Sequence, residues 1–219
     1  MKTVYLVRHG ESEANAGFPT YQAETSKLTE RGIAQARFIA KRCEKLPIDV
    51  CIASTAVRSQ ETARIVGSAI GQTIEVEEVF TERRLPEEMI GMSRSDKKAQ
   101  ELELRWLRGF YEEGIRLGNG ENFSDLKLRG ASALKHLEDR SESNILVVTH
   151  GFFLRMIVAC VIHGESLTPR EFERFAQGVS THNTGLTVLK FGRHFFQRLH
   201  IEPRDGWVLD AWNDHAHLG

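Results

Sequence analysis

Short runs of apolar and β-branched residues alternate along the chain with stretches whose apolar positions recur every three or four residues. Val4–Val7, Val50–Ala53 and Ile145–Thr149 are such runs. Four to six apolar residues stopped abruptly by Gly, Ser or a charged group read as strands buried on both faces. Between them Ile33, Ala36, Ala40 and Cys43 keep helical spacing after Thr29, a natural N-cap, up to about Lys45 and the breaker Pro47. A second helix is predicted over 55–70, with Ala63, Val66 and Ile70 on one face and Gly71 just past its end. Residues 73–80, with Ile74, Val76 and Val79, predict a weaker third strand. Strand and helix in regular alternation specify an α/β sandwich around a mainly parallel sheet.

The pattern breaks at Thr81. Charged residues crowd around Pro86 and Gly91 up to Lys98, which predicts a long loop, and loops of that length in a compact domain are often functional. A helix is predicted over about 95–117 on the stripe Leu102, Trp106, Phe110, followed by the turn Gly118-Asn119-Gly120. Asn122 or Ser124 caps the next helix, which runs to about Glu138. Residues 82–121 therefore read as a helical insertion over the carboxyl edge of the sheet, within one domain spanning 1–219. Thr168-Pro169 opens a further helix. Strands over 185–191 and 194–202, flanking Gly192-Arg193, predict an antiparallel hairpin at the edge of the sheet.

The chemistry gathers where the strands end. The first stops at Arg8-His9-Gly10, the second at Ser54-Thr55 with Arg58 a turn beyond, and the fourth at His150-Gly151. If these strands are parallel, their tips meet at one edge, where open α/β sheets bind ligands. Taken singly, Arg8 reads equally well as a surface charge and His9 as a hydrogen-bonded strand end. Together, two guanidiniums and two imidazoles suit a phosphoryl group, because Arg offers planar donor forks that match phosphate oxygens. Gly10, lacking a side chain, would let a ligand approach the backbone.

Composition narrows the field. With 29 basic and 30 acidic residues the formal charge is −1, too balanced for a general nucleic-acid footprint. Three widely spaced cysteines in apolar surroundings fit reduced core thiols rather than disulfides or a zinc site. A strand beginning within three residues of Met1 leaves no room for a signal peptide, and no apolar run has the length to cross a membrane. A cytoplasmic protein is expected.

Val7-Arg8-His9-Gly10-Glu11-Ser12 with Asn15, then Leu28-Thr29-Glu30-Arg31-Gly32 with Gln35-Ala36, resembles the opening of the histidine phosphatase superfamily, branch 1, with its phosphoglycerate-mutase-like fold. Ser54…Arg58-Ser59-Gln60-Glu61-Thr62-Ala63 is similar to its second block, with Thr55-Ala56 where Pro is usual. Gly120-Glu121-Asn122 with Asp125 and Arg129, Val148-Thr149-His150-Gly151 and the tail Asn213-Asp214…His217-Leu218 follow in the family's order.

The resemblance implies a three-layer sandwich with a mainly parallel central sheet, one antiparallel edge strand and a helical insertion over the active site. It implies catalysis through a phosphohistidine on His9, with Arg8, Arg58, Asn15 and His150 holding the phosphate. The family places a carboxylic acid after the third core strand. Glu82 matches by position, although the Arg83-Arg84-Leu85-Pro86 run departs from the family's usual sequence there, and Glu87 and Glu88 compete.

Ser12 and Asn15 have turn-forming readings of similar weight, and Ser54 reads as a cap or orienting hydroxyl. His182, His194, His200 and His215 read as surface or edge-strand residues. No metal or other cofactor is required. The expected partner is a small phosphorylated substrate, with neither nucleic acid nor membrane, and the chain could pair as a homodimer. Hydrolysis of a phosphate monoester is the leading expectation. A phosphoglycerate mutase-type phosphoryl transfer and a non-catalytic phosphate-binding adaptor are the alternatives.

Overall fold

In the computed structural model, residues 1–17, 20–21, 24–112, 115–196 and 201–218 are described. Six strands form one sheet in the order β3-β2-β4-β1-β5-β6. They are β1 (Lys2–Arg8), β2 (Val50–Ala53), β3 (Ile74–Val76), β4 (Asn144–Thr149), β5 (Leu186–Phe196) and β6 (Ile201–Asp214). The first four are parallel, and β5 runs antiparallel to both β1 and β6. The helices are α1 (Glu30–Cys43), α2 (Val57–Ile70), α3 (Lys97–Phe110), α4 (Phe123–Asp139), α5 (Gly151–His163) and α6 (Pro169–Gly178).

The unbroken apolar runs have a simple cause: successive side chains go to opposite faces, and both faces are covered. Val4, Leu6, Val50, Ile52, Ile145 and Val147 pack in one core with α4, α5, Phe110 and Phe172. Tyr5, Val7, Cys51, Ala53, Leu146 and Val148 pack in the other with Ile39, Ala40 and Cys43 of α1 and Ala63 and Val66 of α2. All three cysteines are buried and free. Burial pushes the Cys43 and Cys51 thiols up to about 12 and Cys160 up to about 11, which makes them poor nucleophiles.

The helix signals hold at their starts. Thr29 accepts from Gly32 N, and Gly71 ends α2 at φ 70°. Asn122, rather than Ser124, caps α4 in a reciprocal box with Asp125, and Thr168 does the same with Glu171 ahead of Pro169. At the far end of α4, Lys2 Nζ donates to the carbonyls of Leu137, Glu138 and Arg140, tying β1 to that helix's C-terminus.

Three boundaries differ from the sequence reading. The third strand stops at Val76, because Glu78–Phe80 tightens into a 3-10 turn that buries Phe80 completely in the first core. The helix expected over 95–117 ends at Phe110. There the chain folds back so closely that a Cβ on Gly109 would lie 2.5 Å from Ile115 Cγ2.

Gly192-Arg193 is no turn. β5 runs through it, with Gly192 opposite Gly206 and Arg193 opposite Asp205, and Gly192, at φ 150°, lies against Met1. The second strand consequently extends to Asp214 and carries Trp207 and Trp212 against the first core, while the connection at 197–200 lies outside the described residues. His194 and His200, expected on the surface or an edge strand, also fall where side chains are not described.

Candidate active site

Parallel pairing in register, with Arg8 beside Thr149 and Ala53 beside Val148, puts the tips of β1, β2 and β4 at one edge. His9 and His150 meet there with ring centroids 5.0 Å apart. Arg58, on the first turn of α2, reaches between them. Its Nε donates to His9 Nε2 at 3.1 Å and its Nη2 to His150 Nδ1 at 3.2 Å. His9, His150 and Arg58 are all buried.

The donors fix the tautomers. A guanidinium cannot accept, so the His9 proton lies on Nδ1, which donates to Gly10 O at 2.7 Å and leaves Nε2 with its lone pair. On His150, Nδ1 accepts from Arg58 and Nε2–H donates to Ser54 Oγ at 2.7 Å. Ser54 is thus an orienting hydroxyl, as its sequence position suggested. Burial first, then the charges of Arg58 and Arg8, hold the His9 imidazole well below the usual histidine range; the Gly10 bond opposes them. Burial and Arg58 hold His150 well below it too.

Arg8 is anchored by Nη1 to the Thr181 carbonyl at 2.5 Å, and its buried Nε has no hydrogen-bond partner among the described residues. Such an orphaned donor on a charged group is costly unless a ligand completes it. Gly151 makes the anchorage possible, since a Cβ there would lie 2.8 Å from Thr181 Oγ1 and 3.3 Å from Arg8 Nε. Gly10 serves the backbone rather than a ligand. A Cβ there would lie 2.5 Å from Gly32 O, so its bareness lets α1 dock against the first loop.

Glu82 sits at the N-terminus of α5. Its Oε1 accepts from Phe153 N and Arg83 N, both at 2.9 Å, and its Oε2 from Phe152 N at 3.1 Å. Arg129 holds the segment leading to it. Its fork grips both oxygens of Glu121 at 2.7 Å while its nitrogens also donate to the carbonyls of Val79, Thr81 and Glu82. Glu87 is exposed and accepts from Asn119, and Glu88 is exposed.

Two hollows meet at these groups. The smaller, about 290 Å³, is lined by Arg8, His9, Asn15, Arg58, Glu82 and Arg155 among others. The larger, about 550 Å³, shares Arg58, Glu82 and Phe152 and opens beneath Arg83, Leu85, Ile90 and Asn119 of the 82–121 segment. Asn15 is both wall and turn: its Oδ1 accepts from Ser12 Oγ at 3.2 Å and from Asn183 Nδ2 at 3.3 Å.

Sequence reasoning missed Arg155, Thr181 and Asn183, whose Nδ2 donates to His9 O at 2.9 Å. The signal was present. A strand antiparallel to β1 must start where β1 ends, so the residues just before β5 belong at this edge. His182 is stacked on His215 with ring centroids 3.9 Å apart, bonded to Asn213 and outside the two hollows. Among the described residues no group of three or more His, Cys, Asp or Glu side chains is placed to hold a metal ion. No helix of the described chain is long and apolar enough to cross a membrane.

Parallel strands ending in two imidazoles around a guanidinium give this α/β protein a cationic hollow at one edge of its sheet. The model of the histidine phosphatase superfamily (branch 1) matches residues 4–202, and the chain belongs to that superfamily. A curated protein of Yersinia pestis (strain Pestoides F), named "Probable phosphoglycerate mutase GpmB", is 31% identical over 223 residues, covering all of this chain and 95% of its own. Among solved structures, YhfR of Bacillus stearothermophilus superposes with a TM-score of 0.81 at 24% identity over the whole of both chains. A phosphoserine phosphatase mutant from Entamoeba histolytica, in complex with phosphoserine, superposes with a TM-score of 0.75 at 22% identity, again over both whole chains. The last two likenesses concern the fold.

Proposed function

We propose that the protein hydrolyses a phosphate monoester through a phosphohistidine on His9. The observation that carries this reading is the His9 tautomer. A buried imidazole with Nδ1–H spent on Gly10 O turns an unprotonated Nε2 toward the hollow that Arg8 and Arg58 line. On binding, the phosphate oxygens take over the Arg58 donors and accept from the Arg8 guanidinium that lines the hollow. Nε2 then attacks phosphorus in line as the bond to the ester oxygen breaks, and Glu82 delivers a proton to that oxygen. In the second half, water attacks the phosphohistidine, its proton goes to the Glu82 carboxylate, and inorganic phosphate leaves with His9 Nε2 restored. His150 becomes a phosphate donor in its other tautomer, with the proton on Nδ1 and Nε2 accepting from the Ser54 hydroxyl. Three guanidiniums, those of Arg8, Arg58 and Arg155, line the phosphate hollow and supply the positive charge, so the reaction is proposed to proceed without a metal.

The phosphoglycerate mutase name of the curated relative supports a second reading, in which the same phosphohistidine passes its group to an acceptor hydroxyl. One experiment covers both. Wild type quenched within milliseconds of mixing with labelled phosphate ester should carry acid-labile, base-stable phosphate that His9→Ala lacks. Release of inorganic phosphate at the rate of ester loss supports hydrolysis; conversion to an isomeric ester with little phosphate release supports transfer. Normal turnover by His9→Ala would overturn both.

A further inference from the structure

Between α6 and β5 the chain passes the phosphate end of the site as an irregular strap, residues 179–185, outside any helix or strand. Two of its residues grip the groups that do the proposed chemistry. The Thr181 carbonyl anchors Arg8 Nη1 at 2.5 Å, and Asn183 Nδ2 donates to His9 O at 2.9 Å and to Asn15 Oδ1 at 3.3 Å. Residue 182 lies between them and is held from the other side. Asn213, near the end of β6, accepts from His182 N on Oδ1 and donates from Nδ2 to His182 Nδ1, both at 2.8 Å. A main-chain N–H can only donate, so this amide has one orientation and the His182 ring presents the lone pair of Nδ1.

The surroundings of Asn213 fit that grip. It is buried and sits at φ 46°, a left-handed conformation that Asn tolerates and most side chains do not. Its own N–H donates to Thr187 Oγ1 at 3.0 Å. Gly185 leaves room for the amide, since a Cβ there would lie 2.2 Å from Asn213 Oδ1. The strap itself is strained. Thr184, a β-branched residue, is completely buried at φ 58°, with its N–H on Arg8 O at 2.8 Å and its hydroxyl on Asn183 O at 2.7 Å. Backbone of that kind persists only where its surroundings over-determine it. His217 Nε2–H, from the same C-terminal tail as Asn213, donates to that hydroxyl at 3.0 Å.

Resting on the hydrolytic reading for the identity of the reaction, we infer that Asn213 is a positioning residue. By clamping residue 182 from behind, it sets the Thr181 carbonyl and the Asn183 amide that aim Arg8 and His9 at phosphorus. Asn213 lines neither hollow, so it acts through the strap. The strap steers the phosphate end rather than the leaving group, so loosening it should slow all esters alike.

The test compares Asn213→Gly with Asn213→Asp. Both residues accept a left-handed φ, and only Asp keeps an acceptor for His182 N. Thr168→Ala, which removes the exposed cap of α6 outside both hollows, is the control for lost stability. Asn213→Gly should lower kcat roughly 10- to 100-fold, as a misplacement of about 1 Å does, and equally for an alkyl and the p-nitrophenyl ester. It should also raise the Kd of inorganic phosphate, measured by calorimetry below the melting transition, by about tenfold. Asn213→Asp should recover most of both losses, and Thr168→Ala should show neither. Partial unfolding lowers the number of sites without moving that Kd, so a merely structural role predicts an unchanged constant. Wild type gives a check that needs no variant to fold: by reciprocity, saturating phosphate should slow exchange of the His182 N–H several-fold more than that of β3. An unchanged phosphate Kd in Asn213→Gly, a loss that Asp does not relieve, or no added protection at His182 would overturn the inference and leave the hydrolytic reading intact. Wild type that binds phosphate but turns over no ester would remove the hydrolytic reading, and the phosphate constants would still decide the role of Asn213. Wild type that does neither would remove both.

Discussion

A single hydroxyl and a single carboxyl carry much of the proposed chemistry. Glu82→Gln keeps the shape of the side chain at the head of α5 and one acceptor oxygen for Phe153 N and Arg83 N, losing the bond from Phe152 N, and removes the proton. It should slow an alkyl phosphate by roughly two to four orders of magnitude and p-nitrophenyl phosphate far less, because p-nitrophenolate leaves almost unaided. Equal slowing of both esters would mean that Glu82 only positions the flap. Glu87→Gln and Glu88→Gln serve as controls, and leaving-group-dependent loss in one of them would move the acid to that position. Ser54→Ala strips His150 Nε2 of its partner at 2.7 Å. An orphaned buried N–H costs about 1–3 kcal/mol, so the expected result is a lower melting temperature together with weaker competitive inhibition by inorganic phosphate.

At the level of elements, the strand-tip residues could be read from sequence because a buried strand announces its own end, and parallel strands end together. The supports were harder to see. Thr181 holds Arg8 through its backbone carbonyl, and a carbonyl leaves no mark on residue type. The antiparallel course of β5 had to be known before residues 181–183 could be placed. The Gly192-Arg193 reading failed because a glycine facing a glycine inside a ladder looks, in one dimension, like a turn. Glu121 and Arg129 were recognisable as part of a block, but their work is structural: their fork steers the backbone that presents Glu82. Removing one member of so buried a pair is expected to cost about 3–5 kcal/mol. Arg129→Met should therefore lower the urea midpoint markedly, measured by circular dichroism. Gly151→Ala should act differently, lowering kcat with little change in the midpoint, as the new methyl displaces Arg8 or Thr181.

For the molecule as a whole, two buried imidazoles kept neutral make stability depend on pH. His9 and His150 have depressed pKa values in the fold and ordinary ones, near 6.5, when unfolded. Below that value the unfolded chain binds protons that the fold excludes. Stability should thus be full above about pH 7 and fall as pH drops from 6.5 toward the folded values, by up to about 1.4 kcal/mol per pH unit for each histidine. Denaturation midpoints at pH 7.5 and 5.5 check this, and His150→Gln should flatten the slope. An unchanged midpoint over that interval would show that both rings take up protons in the fold as they do in the unfolded chain.

The strand order also bears on how the protein is made. β1 is synthesised first, yet its neighbours in the sheet are β4 and β5, and the carbonyl that anchors Arg8 belongs to Thr181. At 5–20 residues per second, a ribosome needs on the order of ten seconds or more to supply them. During that interval Val4–Val7 has no sheet to join, and the emerging chain exposes an apolar strand whose catalytic tip is unformed. Activity should then appear only once the residues through β5 have left the ribosome, and the nascent chain should be a client for chaperones that recognise short apolar segments.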